Sequence, residues 1–317
     1  MTVTPGGYPD DGTTTHCRRR MGATAIDTYC DAMATRVPVT VVLARGKALA
    51  VACHLIPTAG VTVLTTALAA SAGNDPATCV VLCIAVLTGQ LTIGWSNDRL
   101  DWRADRAVGR MDKPVATGAV PLRTIDNAIA VAGVACVAFS LALGWRAGLT
   151  HLGAVGCGWL YNAVLKGTWL SWLPYAAAFA ALPAIATMAL PGHPLPAGWV
   201  VLAAALIGVG ANLTNALPDL ERDSATGFRG LPGRLGARPS ASIAVLLLLL
   251  ASALVAAGPP GPVSTTGWVG FGLTLGIVVV TFPLVWRSAR TRLPFYGLMA
   301  LVPIDVIVLL VGGHRLR

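Results

Sequence analysis

The sequence predicts an all-α, polytopic membrane protein with nine transmembrane helices. Three observations carry that expectation. First, of 317 residues 55% are apolar and only 12% charged, about half the charge usual in soluble proteins, and mean hydropathy is +0.69. A soluble fold of this size could not cover its surface with so few charges. Second, the apolar residues gather in runs of roughly 20, the length that crosses a bilayer, rather than in alternating strands of a β-barrel. Third, the basic residues divide unevenly between the two sides of those runs. The composition excludes a disordered protein, a nucleic-acid-binding domain and most soluble enzymes.

Residues 1–35 are polar, with Gly, Thr and Pro, and read as a disordered tail without the apolar core of a signal peptide. Residues 37–47 (VPVTVVLARGK) are too short to span and read as an interfacial lead-in. This divides the chain into a tail and lead-in (1–47), a transmembrane domain (48–313) and a short end (314–317). The spans are expected at about 48–71, 78–96, 124–144, 148–165, 169–190, 198–217, 241–258, 267–286 and 294–313. Small residues recur in them and suit close packing in lipid.

Arg45 and Lys47 precede the first span, and Arg99, Arg103, Arg106, Arg110, Lys113 and Arg123 follow the second. Lys166 follows the fourth, Arg222, Arg229, Arg234 and Arg238 the sixth, and Arg287, Arg290 and Arg292 the eighth. Twenty of the 23 basic residues thus share one side with the N-terminus, leaving Arg146, Arg315 and Arg317 on the other. The positive-inside rule makes the crowded side cytoplasmic, so the net charge of +9 is mainly a topology signal. The seven cysteines include no CxxC pair; they read as small packing residues, with no disulfide framework and no zinc site.

The acids do not follow topology alone. Seven of 14 fall in two stretches, Asp98, Asp101, Asp105 and Asp112 after span two and Asp219, Glu221 and Asp223 after span six. On a helix, Asp98, Asp101 and Asp105 share a face at i, i+3 and i+7, as do Asn215, Asp219 and Asp223 at i, i+4 and i+8. Like charges so placed repel, and a divalent cation resolves the repulsion. Carboxylate oxygens without His or Cys fit a hard cation such as Mg²⁺, which binds through a few carboxylates plus substrate phosphates. Two such faces describe a diphosphate held by metal ions. Arg110, Lys113 and Arg234 lie just beyond the motifs and can neutralise the remaining diphosphate oxygens. The motifs close helices an even number apart, which suggests a parallel four-helix repeat plus a ninth helix.

These residues give the chain its family likeness. From about 48 to 313 it resembles the UbiA superfamily of intramembrane prenyltransferases. The first motif stands as Asn97-Asp98, Asp101, Asp105, the second as Asp219, Asp223, Gly227, and an R-x-x-K-P element as Arg110, Lys113, Pro114. Tyr161 to Lys166 resembles the family's Tyr–Lys element after helix four. The resemblance implies a nine-helix bundle with a central cavity open to the cytoplasm. Two or more Mg²⁺ ions would be held by Asn97, Asp98, Asp101, Asp105, Asn215, Asp219 and Asp223. A prenyl diphosphate would be bound by Asn97, Arg110, Lys113, Lys166, Asn215 and Arg234. Asp98, Asp101, Asp219, Asp223, Tyr161 and Lys166 would carry catalysis. Ionisation would leave an allylic cation for an electron-rich acceptor, usually an aromatic ring such as a quinone precursor. The loops 99–122 and 220–238 would form a lid against water. A terpene cyclase of the same superfamily, with no acceptor, is the alternative. A cation or lipid carrier is disfavoured because the acids sit at one rim.

Trp95, Trp102, Trp159, Tyr161, Trp169, Trp172, Tyr175 and Phe179 could offer π faces to a carbocation or serve as interfacial anchors. His54, in the first span, reads as a hydrogen-bonded helix contact or a substrate contact. Asp126 reads as solvated, and Asp305, in the ninth span, as a buried hydrogen bond.

Overall fold

In lipid, backbone polar groups must be satisfied within the chain, so apolar runs fold as helices. The computed structural model describes residues 39–220, 229–311 and 316, and all regular structure among them is helical. The helices are α1 (Val39–Ala52), α2 (Leu55–Ala72), α3 (Pro76–Ala107), α4 (Leu122–Ala142), α5 (Trp145–Leu160), α6 (Trp172–Met188), α7 (Gly198–Asn215), α8 (Leu231–Leu235), α9 (Ala237–Ala257), α10 (Thr265–Arg287) and α11 (Leu293–Val311). Met1–Lys47 and Ala48–Arg317 form separate units; the description below concerns the second.

Each predicted span has a helical counterpart among the described residues. Six are long and apolar enough to cross a membrane: α2, α3, α4, α7 with its following turn to Asp219, α9 and α10. Trp172–Met188 and Leu293–Leu309 are apolar but shorter. The chain is therefore a multi-pass membrane protein. Its outward faces are apolar to match, with Val131, Val134 and Val280 exposed by 72%, 73% and 79%. Successive helices pack side by side from α2 to α7, α7 packs on α9, and α11 returns to contact α2. The main core joins Leu82, Ala85 and Val86 of α3 to Ile185 of α6, Ala203 of α7 and Leu248 of α9.

Three elements depart from the expected pattern. The run predicted as one span over 48–71 is two helices, broken at Cys53 and His54, where His54 adopts a left-handed φ of 55°. The Cys53 carbonyl lies against Gly94 of α3, where a Cβ would come within 2.4 Å of its oxygen. The Thr58 hydroxyl donates to that carbonyl at 2.7 Å, so the acceptor exposed by the break is satisfied.

The second departure is length. α3 has 32 residues and carries the whole first acidic motif, well past the expected end at 96. Pro76 opens it and the Asp75 carboxylate caps it, accepting from Ala77 and Thr78 backbone amides at 2.9 and 3.1 Å. At 1.5 Å per residue it is about 48 Å long, more than the roughly 30 Å hydrocarbon core, so its last turns stand clear of lipid.

The third is the end of α7. Asn215 closes the α-helix and Leu217–Asp219 form a 3₁₀ turn. Pro218 has no amide to continue the ladder and its ring clashes with the preceding turn. Asn215 and Asp219 therefore do not share one continuous α-helical face, as the i, i+4 spacing suggested. Asp223 lies outside the described residues, as does most of the 220–228 part of the expected lid.

Candidate active site

The last turns of α3 bring four predicted ligands, Asn97, Asp98, Asp101 and Asp105, to one end of the bundle. Asp98 is only 1% exposed. A bare carboxylate there would be costly, and the loop after α3 supplies its partner. Gly109, with φ of 68°, turns that loop, and Val115 and Val120 anchor it in a small core with Ala52 and Ile125. Lys113 is thereby set over the motif. Its Nζ donates to Asp98 Oδ1 at 2.5 Å and to Asn97 Oδ1 at 3.4 Å. His54 joins the same group: its Nε2 lies 3.3 Å from Asp98 Oδ1 and 3.2 Å from Lys113 Nζ.

Arg110, from the same loop, connects the two motifs. Its Nη1 is 3.2 Å from Asp219 Oδ1 and 3.9 Å from Asp105 Oδ1. Its Nε and Nη2 donate to the two Asp112 oxygens, each at 2.9 Å, the bidentate geometry a guanidinium favours. Those bonds hold the Asp112 carboxyl well below the usual carboxylate range. They also push the Arg110 guanidinium higher still, against the opposing effect of burial.

The third cation arrives from α5. That helix ends in five residues of π-helix, Tyr161–Leu165, and Lys166 follows with its amide bonded to the Tyr161 carbonyl at 2.9 Å. The Lys166 ammonium donates to Asp101. Asn162, inside the π segment, clamps it to α3: its Nδ2 donates to the Ile93 carbonyl at 2.8 Å and Ser96 Oγ at 2.9 Å. Its Oδ1 accepts from Asn97 Nδ2 at 3.3 Å. Sequence reasoning assigned Asn162 no role, although a primary amide inside an apolar run was the available signal. Such π segments interrupt helices frequently at functional sites.

Beside this charged cluster lies an aromatic one. The Tyr161 and Tyr175 rings meet edge to face at 5.0 Å, and Tyr175 stacks with Phe179 at 6.5 Å. Asn215 Nδ2 donates to the Tyr175 hydroxyl at 3.3 Å, so Asn215 links the second motif to the aromatic residues. Arg234, on the five-residue α8, donates to the Arg229 carbonyl at 3.0 Å. Among the described residues no ion pair joins it to the acids. Among the other polar residues, Asp126 is exposed and paired with Arg99 at 2.7 Å. Asp305 is buried and accepts from Ser252 Oγ at 2.7 Å, as a buried hydrogen bond should.

The donor set can be tested for its fit to Mg²⁺. Among the described residues no three His, Cys, Asp or Glu side chains converge on one point, because Asp98, Asp101, Asp105 and Asp219 each face Lys or Arg. Yet Asp98 Oδ2 is buried and has no hydrogen-bond partner among the described residues. A carboxylate oxygen left in that state is a ready ligand, and Asn97, Asp101 and Asp105 at the same end of α3 carry hard oxygen donors of the kind Mg²⁺ selects. The residues therefore fit the ion.

Comparison with known proteins identifies the fold and the family. The chain is 31% identical over 192 residues to the bacteriochlorophyll synthase 33 kDa chain of Cereibacter sphaeroides; the match covers 56% of this chain and 61% of that protein. A UbiA homologue from Aeropyrum pernix K1 superposes with a TM-score of 0.64 at 18% identity, over 80% of this chain and 97% of that one. A UbiA homologue from Archaeoglobus fulgidus bound to DMAPP and Mg²⁺ superposes with a TM-score of 0.61 at 16% identity, over 83% and 99%. At such identities the superpositions establish the fold. Residues 55–296 match the sequence pattern of the UbiA prenyltransferase family, and the chain belongs to that family.

Proposed function

We propose that this protein is a Mg²⁺-dependent intramembrane prenyltransferase, which ionises a prenyl diphosphate and transfers the isoprenyl group to an aromatic acceptor such as a quinone precursor. The observation that carries the reading is Arg110 lying between Asp105 of the first motif and Asp219 of the second. The two acidic motifs therefore address one space, with Lys113 and Lys166 at its edge. The Archaeoglobus fulgidus homologue bound to GPP and Mg²⁺ supports the substrate class, and the bacteriochlorophyll synthase relative supports transfer. The one-sided distribution of Lys and Arg supports a site facing the cytoplasm.

The residues assign themselves roles. Asn97, Asp98, Asp101, Asp105, Asn215, Asp219 and Asp223 would hold two or more Mg²⁺ ions, which when bound neutralise charge on the departing diphosphate. Lys113, Lys166, Arg110 and Arg234 donate to diphosphate oxygens, strengthening as leaving-group charge develops. The isoprenoid tail lies among the apolar helices. Tyr161 and Tyr175 present ring faces and edges next to Lys166 and Asn215, where an allylic cation would form. The loop bearing Arg110 and Lys113 covers the charged end and limits water.

The test is incubation of the detergent-purified protein with DMAPP, GPP and longer prenyl diphosphates and Mg²⁺, with and without aromatic acceptors. Prenylated acceptor formed with Mg²⁺-dependent pyrophosphate release is the expected result. A cyclic terpene made without acceptor would replace transfer by cyclisation, and absence of Mg²⁺-dependent release under every condition would overturn the reading.

A further inference from the structure

We infer that His54 is a positioning residue that fixes the Asp98 carboxylate so that its free oxygen is presented to a metal ion; the inference rests on the metal-binding reading of Asp98 above. Three observations lead there. His54 occupies a left-handed backbone conformation at the break between α1 and α2. Side chains with a Cβ rarely hold that conformation unless their surroundings impose it, and such residues cluster at functional sites. His54 stands at the N-cap of α2, yet its side chain makes no capping hydrogen bond there. Its imidazole turns instead to α3, with Nε2 3.3 Å from Asp98 Oδ1 and 3.2 Å from Lys113 Nζ.

The consequence lies in how the two Asp98 oxygens differ. Oδ1 receives the Lys113 ammonium at 2.5 Å and lies beside the imidazole. Oδ2 is buried with no partner among the described residues. An ammonium alone is a point charge on a flexible stem and could serve either oxygen. The imidazole removes that freedom in either tautomer. With the proton on Nε2 it donates to Oδ1; with the proton on Nδ1 it accepts from Lys113 and fixes the ammonium on Oδ1. Both arrangements leave Oδ2 as the open ligand. Gly94 makes this possible, because only a residue without Cβ lets the Cys53 carbonyl come close enough to bring His54 to Asp98.

The experiment compares His54→Gly and His54→Gln with the wild type. Glycine accepts the left-handed backbone without strain, so it removes the imidazole while sparing the fold. Glutamine restores a group able to donate or accept. Mg²⁺ is titrated in the presence of saturating inorganic pyrophosphate and binding is followed by the shift in thermal midpoint, with no turnover needed. We expect His54→Gly to melt, free of ligand, at or above the wild-type temperature. Its Mg²⁺ midpoint should rise about tenfold or more, the usual cost of losing a group that orients a metal ligand. His54→Gln should recover most of the loss. A His54→Gly protein with a wild-type Mg²⁺ midpoint would overturn the inference alone. So would one that melts early while glutamine fails to restore the midpoint. A wild-type protein whose melting ignores Mg²⁺ and pyrophosphate would instead remove the metal reading of Asp98, and this inference with it.

Discussion

Asp98 has 1% of its surface exposed and depends on the Lys113 ammonium for its charge to be tolerable. Removing one member of such a buried pair costs roughly 3–5 kcal/mol, because the survivor is left uncompensated. Lys113→Met should therefore lower the melting temperature sharply, whereas the double variant Lys113→Met/Asp98→Asn should recover stability but release no pyrophosphate. Asp98→Ala and Asp219→Ala should each abolish Mg²⁺-dependent pyrophosphate release; unchanged release in both would sink the two-motif mechanism. Arg110 and Asp112 behave differently with pH. Asp112 is depressed by hydrogen bonds from Arg110, so the stabilisation is complete above the ordinary Asp value of about 3.9. It is lost only as pH falls through the lower folded value. Melting curves of wild type and Asp112→Asn should therefore run parallel between about pH 5 and 8 and converge only in strong acid.

Helix geometry decides which residues meet. The i, i+3, i+7 spacing of Asp98, Asp101 and Asp105 was legible because α3 continues through the motif. Its length was not legible, since a hydropathy scan stops where charge begins and cannot see that Lys113, Lys166 and Arg110 offset the repulsion. The break at His54 carried a local signal that a scan for apolar runs passes over: Pro57 has no N–H and its ring would clash with the Cys53 carbonyl four residues back, while Gly94 on α3 lets that carbonyl come close. The turn at Pro218 had a signal in the missing proline amide, although Pro183, Pro283 and Pro303 are accommodated inside helices here. Gly94→Ala would place a Cβ 2.4 Å from the Cys53 oxygen and should cost about 1–3 kcal/mol, visible as a lower melting temperature. The π segment offers a sharper test. Inserting one alanine within Tyr161–Leu165 should turn Lys166 by about 100°, away from Asp101. Pyrophosphate release should fall, while an alanine insertion elsewhere in the loop before α6 should leave it largely intact.

On the scale of the whole chain, each of the nine apolar runs is helical among the described residues, the first as two helices, and six helices reach spanning length. Periodicity and charge asymmetry sufficed for that much, because lipid allows few alternatives. Side selection can be measured with impermeant thiol reagents on sealed vesicles, using single cysteines in a background lacking the native seven. Ala119→Cys, between α3 and α4, should label only from the cytoplasmic face, and Leu195→Cys, between α6 and α7, only from the opposite face. Labelling of both from one face would contradict the topology. Arg110 has a further consequence at this scale. With Lys113 on Asp98, Lys166 on Asp101 and Arg110 shared by Asp105, Asp112 and Asp219, the resting protein supplies its own counter-ions. If the acids hold Mg²⁺ as proposed, an ion arriving with diphosphate would bring the displaced Lys113, Lys166 and Arg110 new anionic partners, which a lone ion would not. Metal and anion should accordingly bind with synergy, each tightening the other by the same factor. On the proposed mechanism, the same internal pairs would compete for the acids once the prenyl group has gone and so hasten the discharge of pyrophosphate.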